Sequence, residues 1–314
     1  MSRLTTPLIS IVVPVFNEAA GITYFHNQLT KTLEKIPGYD FQIIYCDDGS
    51  RDDSRTKLTE IANTNQNVQL IALSKNFGKE YALTALLKHA TGDAIISLDA
   101  DGQHPLELIE KFIKTWQAGS QVVIGVRNRS RKTSSLFYGL FNRVSGESLL
   151  DGGTDFRLID RNVQQAFLQL EEGGRMTRGL IDWLGFERTL IPFDAKVREH
   201  GKPTYSHKQM VQLAINGFVA FSNVPLYVFG ITGITITTLS GLLGFVVIIE
   251  QLILNDPMHW HFTGTAMLGV LILFLVGIIL MSQGIMALYI SAIHRENKHR
   301  PLYVIDYSHS VIKK

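Results

Sequence analysis

One cysteine in 314 residues, Cys46, excludes an intramolecular disulfide and a cysteine-built zinc site. It sits in the apolar run Phe41 to Cys46, where a buried structural thiol is the ordinary reading. Charge of one sign is not in excess either: 30 Lys and Arg face 28 Asp and Glu, for a net +2. That balance makes no electrostatic case for nucleic acid. Met1 to Pro7 contain no long apolar core, so no cleavable signal peptide is expected. A glycine-rich dinucleotide fingerprint and a Walker-type phosphate loop are both missing. Pro14-Val15-Phe16-Asn17-Glu18 stands where the first of these would be. Internal repeats and low-complexity segments are absent too.

What is present first is a run of alternating elements. Leu8 to Phe16, Phe41 to Asp47, Val68 to Leu73, Asp93 to Leu98 and Gln121 to Val126 are strand-length apolar runs rich in Ile and Val. They lack strict alternation, as strands buried on both faces do. Between them lie helical periods at about Ile22 to Ile36, Asp52 to Ala62, Lys79 to His89 and Pro105 to Ala118, with Pro105 at a helix start and Gly119 past a helix end. Repeated βα units predict an α/β fold with a doubly wound, mostly parallel sheet that binds ligands at the carboxyl ends of its strands. After residue 126 the pattern loosens. It continues with an amphipathic segment near Leu136 to Val144, the cluster Asp151 to Arg157, a helix near Arg161 to Leu170 and a strand near Thr189 to Val197.

The last third differs in kind. Val224 to Ile249 and Phe262 to Ile293 carry no Asp, Glu, Lys or Arg, and each exceeds the roughly 20 residues that span a bilayer. Two transmembrane helices are expected, over 224–253 and 262–293, joined by a short extracytoplasmic connector at 254–261. Lys202, Lys208, Arg295, Lys298, Arg300, Lys313 and Lys314 flank them, which puts both flanks on the cytosolic side. Met210, Leu213, Ala214, Gly217, Phe218 and Phe221 share one helical face, so 207–223 reads as a juxtamembrane helix resting in the interface or packing on the domain. The expected order is a cytosolic domain at 1–206, that helix, the two spans and a cytosolic tail at 294–314. The location implied is a membrane crossed more than once, with both termini on its cytosolic side.

Carboxylates fall at the predicted strand ends: Glu18 after the first strand, Asp47-Asp48 after the second, Asp99 and Asp101 after the fourth. Alternate residues of an extended segment point the same way, so Asp99 and Asp101 converge on one ligand. Hard oxygen donors suit Mg²⁺ or Mn²⁺. Such an ion would neutralise a departing diphosphate. The alternative for this stretch is a plain turn. Either Asp of the 47–48 pair serves a ribose or base, or caps the next helix.

The order VPVFNE, DDGS, NFGKE, DADGQHP, DFRL and Arg198-Glu199-His200-Gly201 resembles glycosyltransferase family 2, more narrowly its bactoprenol glucosyltransferase and dolichyl-phosphate mannose synthase group. The resemblance runs from about Ile9 to Tyr307, through both apolar stretches and the tail Arg300-Pro301-Leu302-Tyr303. It implies a GT-A-type catalytic domain. Pro14, Phe16, Glu18, Cys46, Asp48 and Ala100 would line the nucleotide sugar, with Asp99, Asp101 and Gln103 at the metal and diphosphate. Arg127 and Arg131, with Lys132 beside it, would hold the acceptor phosphate, and Asp155 would face the acceptor. Asp155 is then either a general base or an orienting group, and an ion pair with Arg157 is the structural alternative. Arg198 matches the family's R-x-x-G-x-S-K-Y element, but Pro203 and Thr204 replace its Ser and Lys, so Lys202 stands as the substitute cation. The Q-x-x-R-W element of processive synthases is missing. Implied overall is an inverting, metal-dependent transferase, in homo-oligomeric form, moving one hexose from a nucleotide sugar, expected to be UDP-glucose, to undecaprenyl phosphate. Another hexose or N-acetylhexosamine, a glycan or protein acceptor, and a non-catalytic nucleotide-sugar sensor are the competing expectations.

Overall fold

Seven strands form one sheet among the described residues. They are β1 (Leu8–Val15), β2 (Asp40–Asp47), β3 (Val68–Ala72), β4 (Ala94–Ser97), β5 (Val122–Arg127), β6 (Gly153–Asp160) and β7 (Arg188–Phe193), in the order β3-β2-β1-β4-β6-β5-β7. The computed structural model describes residues 6–128, 153–170, 175–194, 264–296 and 301–313, with single helical positions at 232, 235, 238, 239 and 242. The helices are α1 (Ile22–Leu33), α2 (Ser54–Thr64), α3 (Lys79–His89), α4 (Leu108–Gln117), α5 (Arg161–Leu168), α6 (Thr177–Trp183) and α7 (Gly264–Glu296).

β1 pairs in parallel with β2 and β4, β2 with β3, and β5 with β7. β6 alone runs antiparallel, between β4 and β5. The expected mostly parallel sheet is observed, with β6 as its antiparallel member, and the Asp151 to Arg157 cluster, to which no element was assigned, enters that strand at Gly153. The expected strand from Thr189 stops at Phe193. Pro192 lies within β7, an edge strand, where a missing N–H is tolerated.

Strand parity sorts the layers. Ile9, Ile11, Val13 and Val15 share a buried cluster with Ile22, Phe25 and Leu29 of α1, Leu58 of α2 and Phe112 of α4. The opposite parity, Val12, Ile44 and Cys46, is equally buried, and α3 packs against β1 and β2 outside that cluster. Near the active end, Phe112 stacks on Phe156 of β6 with ring centroids 4.4 Å apart, and His104 stacks on the same ring at 5.1 Å.

Two compact units are resolved by their contacts: Met1–Ser206 with Arg300–Lys314, and His207–His299. In the second, α7 is one 33-residue helix whose Leu268, Ile272, Ile279, Ile290 and Ile293 are exposed. Among the described residues no helix is both long and apolar enough to cross a membrane. The expected first span, the 207–223 helix and the 136–144 segment fall outside the described residues, apart from the five single positions.

Phe112 is fully buried between α4 and β6. Phe112→Ala is expected to lower stability by about 3–5 kcal/mol in chemical denaturation, the usual cost of emptying an aromatic core position.

Candidate active site

Strand order reverses at β1, with β2 and β3 on one side and β4 on the other. In such sheets ligands gather at the carboxyl ends beside that point. A cleft of about 140 Å³ opens there, lined by Glu18, Tyr24, Ala100, Asp101, His104 and Glu107 among others.

The loop after β1 is sewn to the loop after β2. Asn17 adopts the left-handed conformation, φ 54, which Asn tolerates better than most residues. Its N–H donates to Ser50 Oγ at 3.0 Å, and its Oδ1 accepts the Arg51 N–H at 2.9 Å. The Glu18 N–H donates to Ser54 Oγ at 2.8 Å and the Ala19 N–H to Asp52 Oδ2 at 3.0 Å. Glu18 is thereby fixed at the cleft wall.

Neither carboxylate of the 47–48 pair caps α2, whose N-cap residue Asp53 makes no side-chain capping bond. Asp47 accepts the Ser50 N–H and pairs with Arg55 Nε at 2.8 Å. Asp48 accepts the N–H groups of Phe77 and Gly78 at 2.8 and 2.9 Å. Burial raises the Asp48 pKa, while those two bonds pull it down. Gly49, at φ +67, lies so close to the next loop that a Cβ would sit 2.3 Å from the Lys75 carbonyl carbon. No side chain fits there, and the Asp48 grip depends on that approach.

The acidic stretch after β4 curls into a tight loop. Asp101 Oδ1 accepts the Gln103 N–H at 3.1 Å, and Gln103 Oε1 accepts Arg127 Nη2 at 2.9 Å. The Asp99 N–H donates to His104 Nδ1 at 3.1 Å. Burial lowers the His104 pKa, against the pull of Asp99, so a neutral ring accepts that bond. Two carboxylates fit a small hard cation that takes its remaining oxygens from water and a diphosphate. Among the described residues no three His, Cys, Asp or Glu cluster to hold one unaided.

Asp155 reaches Asp99 through β6. Ser97 pairs with Arg157, and continuing that antiparallel register sets Asp155 opposite Asp99. Lys79, the first residue of α3, lies between them, its Nζ 2.5 Å from Asp99 Oδ1 and 2.6 Å from Asp155 Oδ2. Burial opposes the Lys79 charge, but Asp99 and Asp155 outweigh it and raise the ammonium pKa. Arg178 Nε stands 2.9 Å from Asp155 Oδ1. Burial pushes Asp155 up, yet Lys79 and Arg178 prevail and hold it well below the usual carboxylate range. The alternative for Asp155, an ion pair with Arg157, is not formed: Arg157 turns to Asp182 at 3.2 Å and donates to the Thr154 carbonyl.

The structure therefore brings Glu18, Asp48, Asp99, Ala100, Asp101, Gln103, Arg127 and Asp155 to one end of the sheet. Pro14 and Phe16 lie half-buried on the β1 side. Cys46 is fully buried, so its thiol is sealed from any ligand, and burial and the neighbouring carboxylates push its pKa up. Arg131, Lys132, Arg198 and Lys202 lie outside the described residues. Two functional side chains escaped the sequence reading. Lys79 was visible as the lysine of NFGKE at a helix start, but nothing local tied it to Asp99. Arg178 carried no signal; it is aimed because Glu80 Oε2 accepts the Thr177 N–H at 2.7 Å and fixes the start of α6.

Comparison with known proteins shows the family. Residues 10–163 match the glycosyl transferase family 2 domain. The putative glycosyltransferase CsbB of Bacillus subtilis is 36% identical over 95% of this chain and 91% of its own. The bactoprenol glucosyl transferase of Shigella phage SfV is 36% identical over 95% of this chain and 97% of its own. A more distant likeness, to glucosyl-3-phosphoglycerate synthase from Mycobacterium tuberculosis in complex with Mn²⁺, UDP and glucosyl-3-phosphoglycerate, has a TM-score of 0.46 at 18% identity over 68% of this chain and 78% of that one. With a third of its residues shared along nearly the full length of such relatives, the chain belongs to glycosyl transferase family 2.

Proposed function

We propose that this glycosyltransferase moves a single hexose, with inversion, from UDP-glucose to undecaprenyl phosphate on the cytosolic face of a bacterial membrane. The convergence of Asp48, Asp99, Asp101 and Asp155 at the reversal point of the sheet carries the proposal. Likeness along the whole chain to a bactoprenol glucosyl transferase supports the lipid acceptor. The charge-free stretches Val224 to Ile249 and Phe262 to Ile293 support membrane residence, as do the exposed apolar side chains of α7.

Each residue then has a physical task. Asp48, its own acceptors half-spent on Phe77 and Gly78, offers a fixed carboxylate to the base, and Glu18 one to the ribose. Asp99 and Asp101 would hold Mg²⁺ or Mn²⁺, which supplies charge stabilisation for the departing diphosphate. An oxygen of the acceptor phosphate attacks the anomeric carbon while the bond from that carbon to the diphosphate oxygen breaks, and UDP leaves with the electron pair. A phosphate monoester has its second pKa near ~6, so the nucleophile is already an anion and no proton need be removed. Asp155, held deprotonated by two cations, is a poor base; we assign it to fixing Lys79 and Arg178 beside the reacting groups.

Full-length protein with Mn²⁺, undecaprenyl phosphate and a panel of nucleotide sugars is expected to give an organic-extractable sugar lipid, most rapidly from UDP-glucose. Absence of any such product across the panel would remove the lipid-transferase reading. Asp101→Asn is expected to abolish transfer while leaving the unfolding midpoint unchanged, read by product extraction beside thermal melting. Lys79→Met should lower kcat by roughly 100-fold or more, as loss of a preorganised cation does, with Lys79→Arg recovering part of it.

The pH dependence follows from Asp155. Its folded pKa lies below the unfolded value near ~3.9, so its contribution to stability is complete above that value and fades as pH falls through the folded one. The stability gap between wild type and Asp155→Asn is therefore expected to stay constant from about pH 7 to pH 5 and to shrink only on further acidification. A gap that closes near neutrality would contradict the assignment.

A further inference from the structure

The last residues of the chain return to the catalytic unit and dock on its sheet edge. Leu70 and Val311 exchange backbone hydrogen bonds at 2.9 and 2.8 Å, and the Asp306 N–H donates to the Ala72 carbonyl at 2.8 Å. Ser310 Oγ accepts the Ala72 N–H at 2.9 Å, and Lys313 Nζ reaches the carbonyls of Ala62 and Asn65 at 2.6 and 2.5 Å. Asp306 is held in a turn by Ser308 and His309. Edge strand β3 is thus covered by the chain's own tail, which removes an open edge.

The tail does more than close the sheet. Just past β3, the Ser74 N–H donates to the Val304 carbonyl at 3.0 Å, and Leu73 bridges Ile305. Three residues beyond Ser74 come Phe77 and Gly78, whose N–H groups grip Asp48, whereas Lys79 already belongs to α3 and is held by its own ion pairs to Asp99 and Asp155. From its other side the same loop is pressed by Gly49 and tied through the Leu73 carbonyl to Arg55. The loop is therefore clamped between the β2 turn and the tail.

We infer that residues 302–313 are a positioning element of the donor site, holding the 73–78 loop where Asp48 can receive the nucleoside. This rests on Asp48 being the nucleoside carboxylate. The element lies outside the matched 10–163 family domain and supplies no reacting group, so its loss should weaken donor binding and leave the chemical step intact.

The test uses the full chain, a Val311→Pro variant that loses the N–H bonded to Leu70, and a chain truncated after Glu296. UDP with Mn²⁺ is titrated calorimetrically, and donor KM and kcat are measured beside it. Both variants are expected to raise the Kd for UDP and the donor KM about tenfold, the worth of one or two hydrogen bonds, with kcat at saturating donor within about twofold of wild type. A synthetic peptide of residues 301–314 should restore affinity to the truncated chain. If wild type binds UDP and a folded Val311→Pro chain binds it equally well, the inference is wrong and the nucleoside reading stands. A fall in kcat at unchanged KM would overturn it as well. If wild type itself binds no nucleotide, both fail.

Discussion

The ammonium of Lys79, held between the carboxylates of Asp99 and Asp155, fixes the distances on which the rest of the site depends. It joins the start of α3 to the ends of β4 and β6, three elements that no local sequence feature would align. Such an arrangement is a poor source of stability. Burying charge has a desolvation cost that an apolar trio of equal volume would avoid, and Lys79 keeps 32% of its side chain exposed, which screens part of the attraction. What it supplies is placement: two carboxylates that would repel each other are kept together at the carboxyl end of the sheet.

Around that contact the loops are preorganised by short polar bonds rather than by packing. The β1 loop is sewn to the β2 loop through Asn17, Ser50, Asp52 and Ser54. The β2 turn presses on the loop after β3 at Gly49 and grips it at Asp48. That third loop begins α3, whose second residue, Glu80, docks α6 and so aims Arg178 at Asp155. Each of these hydrogen bonds spans two strand ends. Sites supported this way hold reacting groups within the few tenths of an ångström that catalysis needs.

β1 to β5 and α1 to α5 were legible because each is a long periodic or β-branched run bounded by turn residues. The carboxylates at strand ends were legible for the same reason, since a parallel βα repeat has only one end where ligands gather. β6 was not. Gly153-Thr154-Asp155-Phe156-Arg157 alternates too little to announce a strand, and its partners β4 and β5 are fixed by sheet topology, not by adjacency in sequence. The seven residues of α6 are too few for a helical period to emerge. Missing β6 hid the pairing of Asp155 with Asp99, and missing α6 hid Arg178. Asp155 and Arg157, two apart, looked like partners, yet Arg157 is claimed by Asp182 from α6.

Cation bookkeeping within the site leaves one residue unlike the others. Lys79, Arg178 and Arg157 each face a carboxylate. Arg127, at the end of β5, instead donates one Nη2 bond to the neutral amide of Gln103, and among the described residues its buried Nε has no partner. A buried donor left unmet costs about 1–3 kcal/mol, a cost that an anion arriving beside Gln103 would relieve. Gln103 neighbours Asp101, so that anion would also lie beside the acidic pair. An arginine left in this state gains more from an arriving anion than Lys79, Arg178 and Arg157 do, because their charges already meet carboxylates.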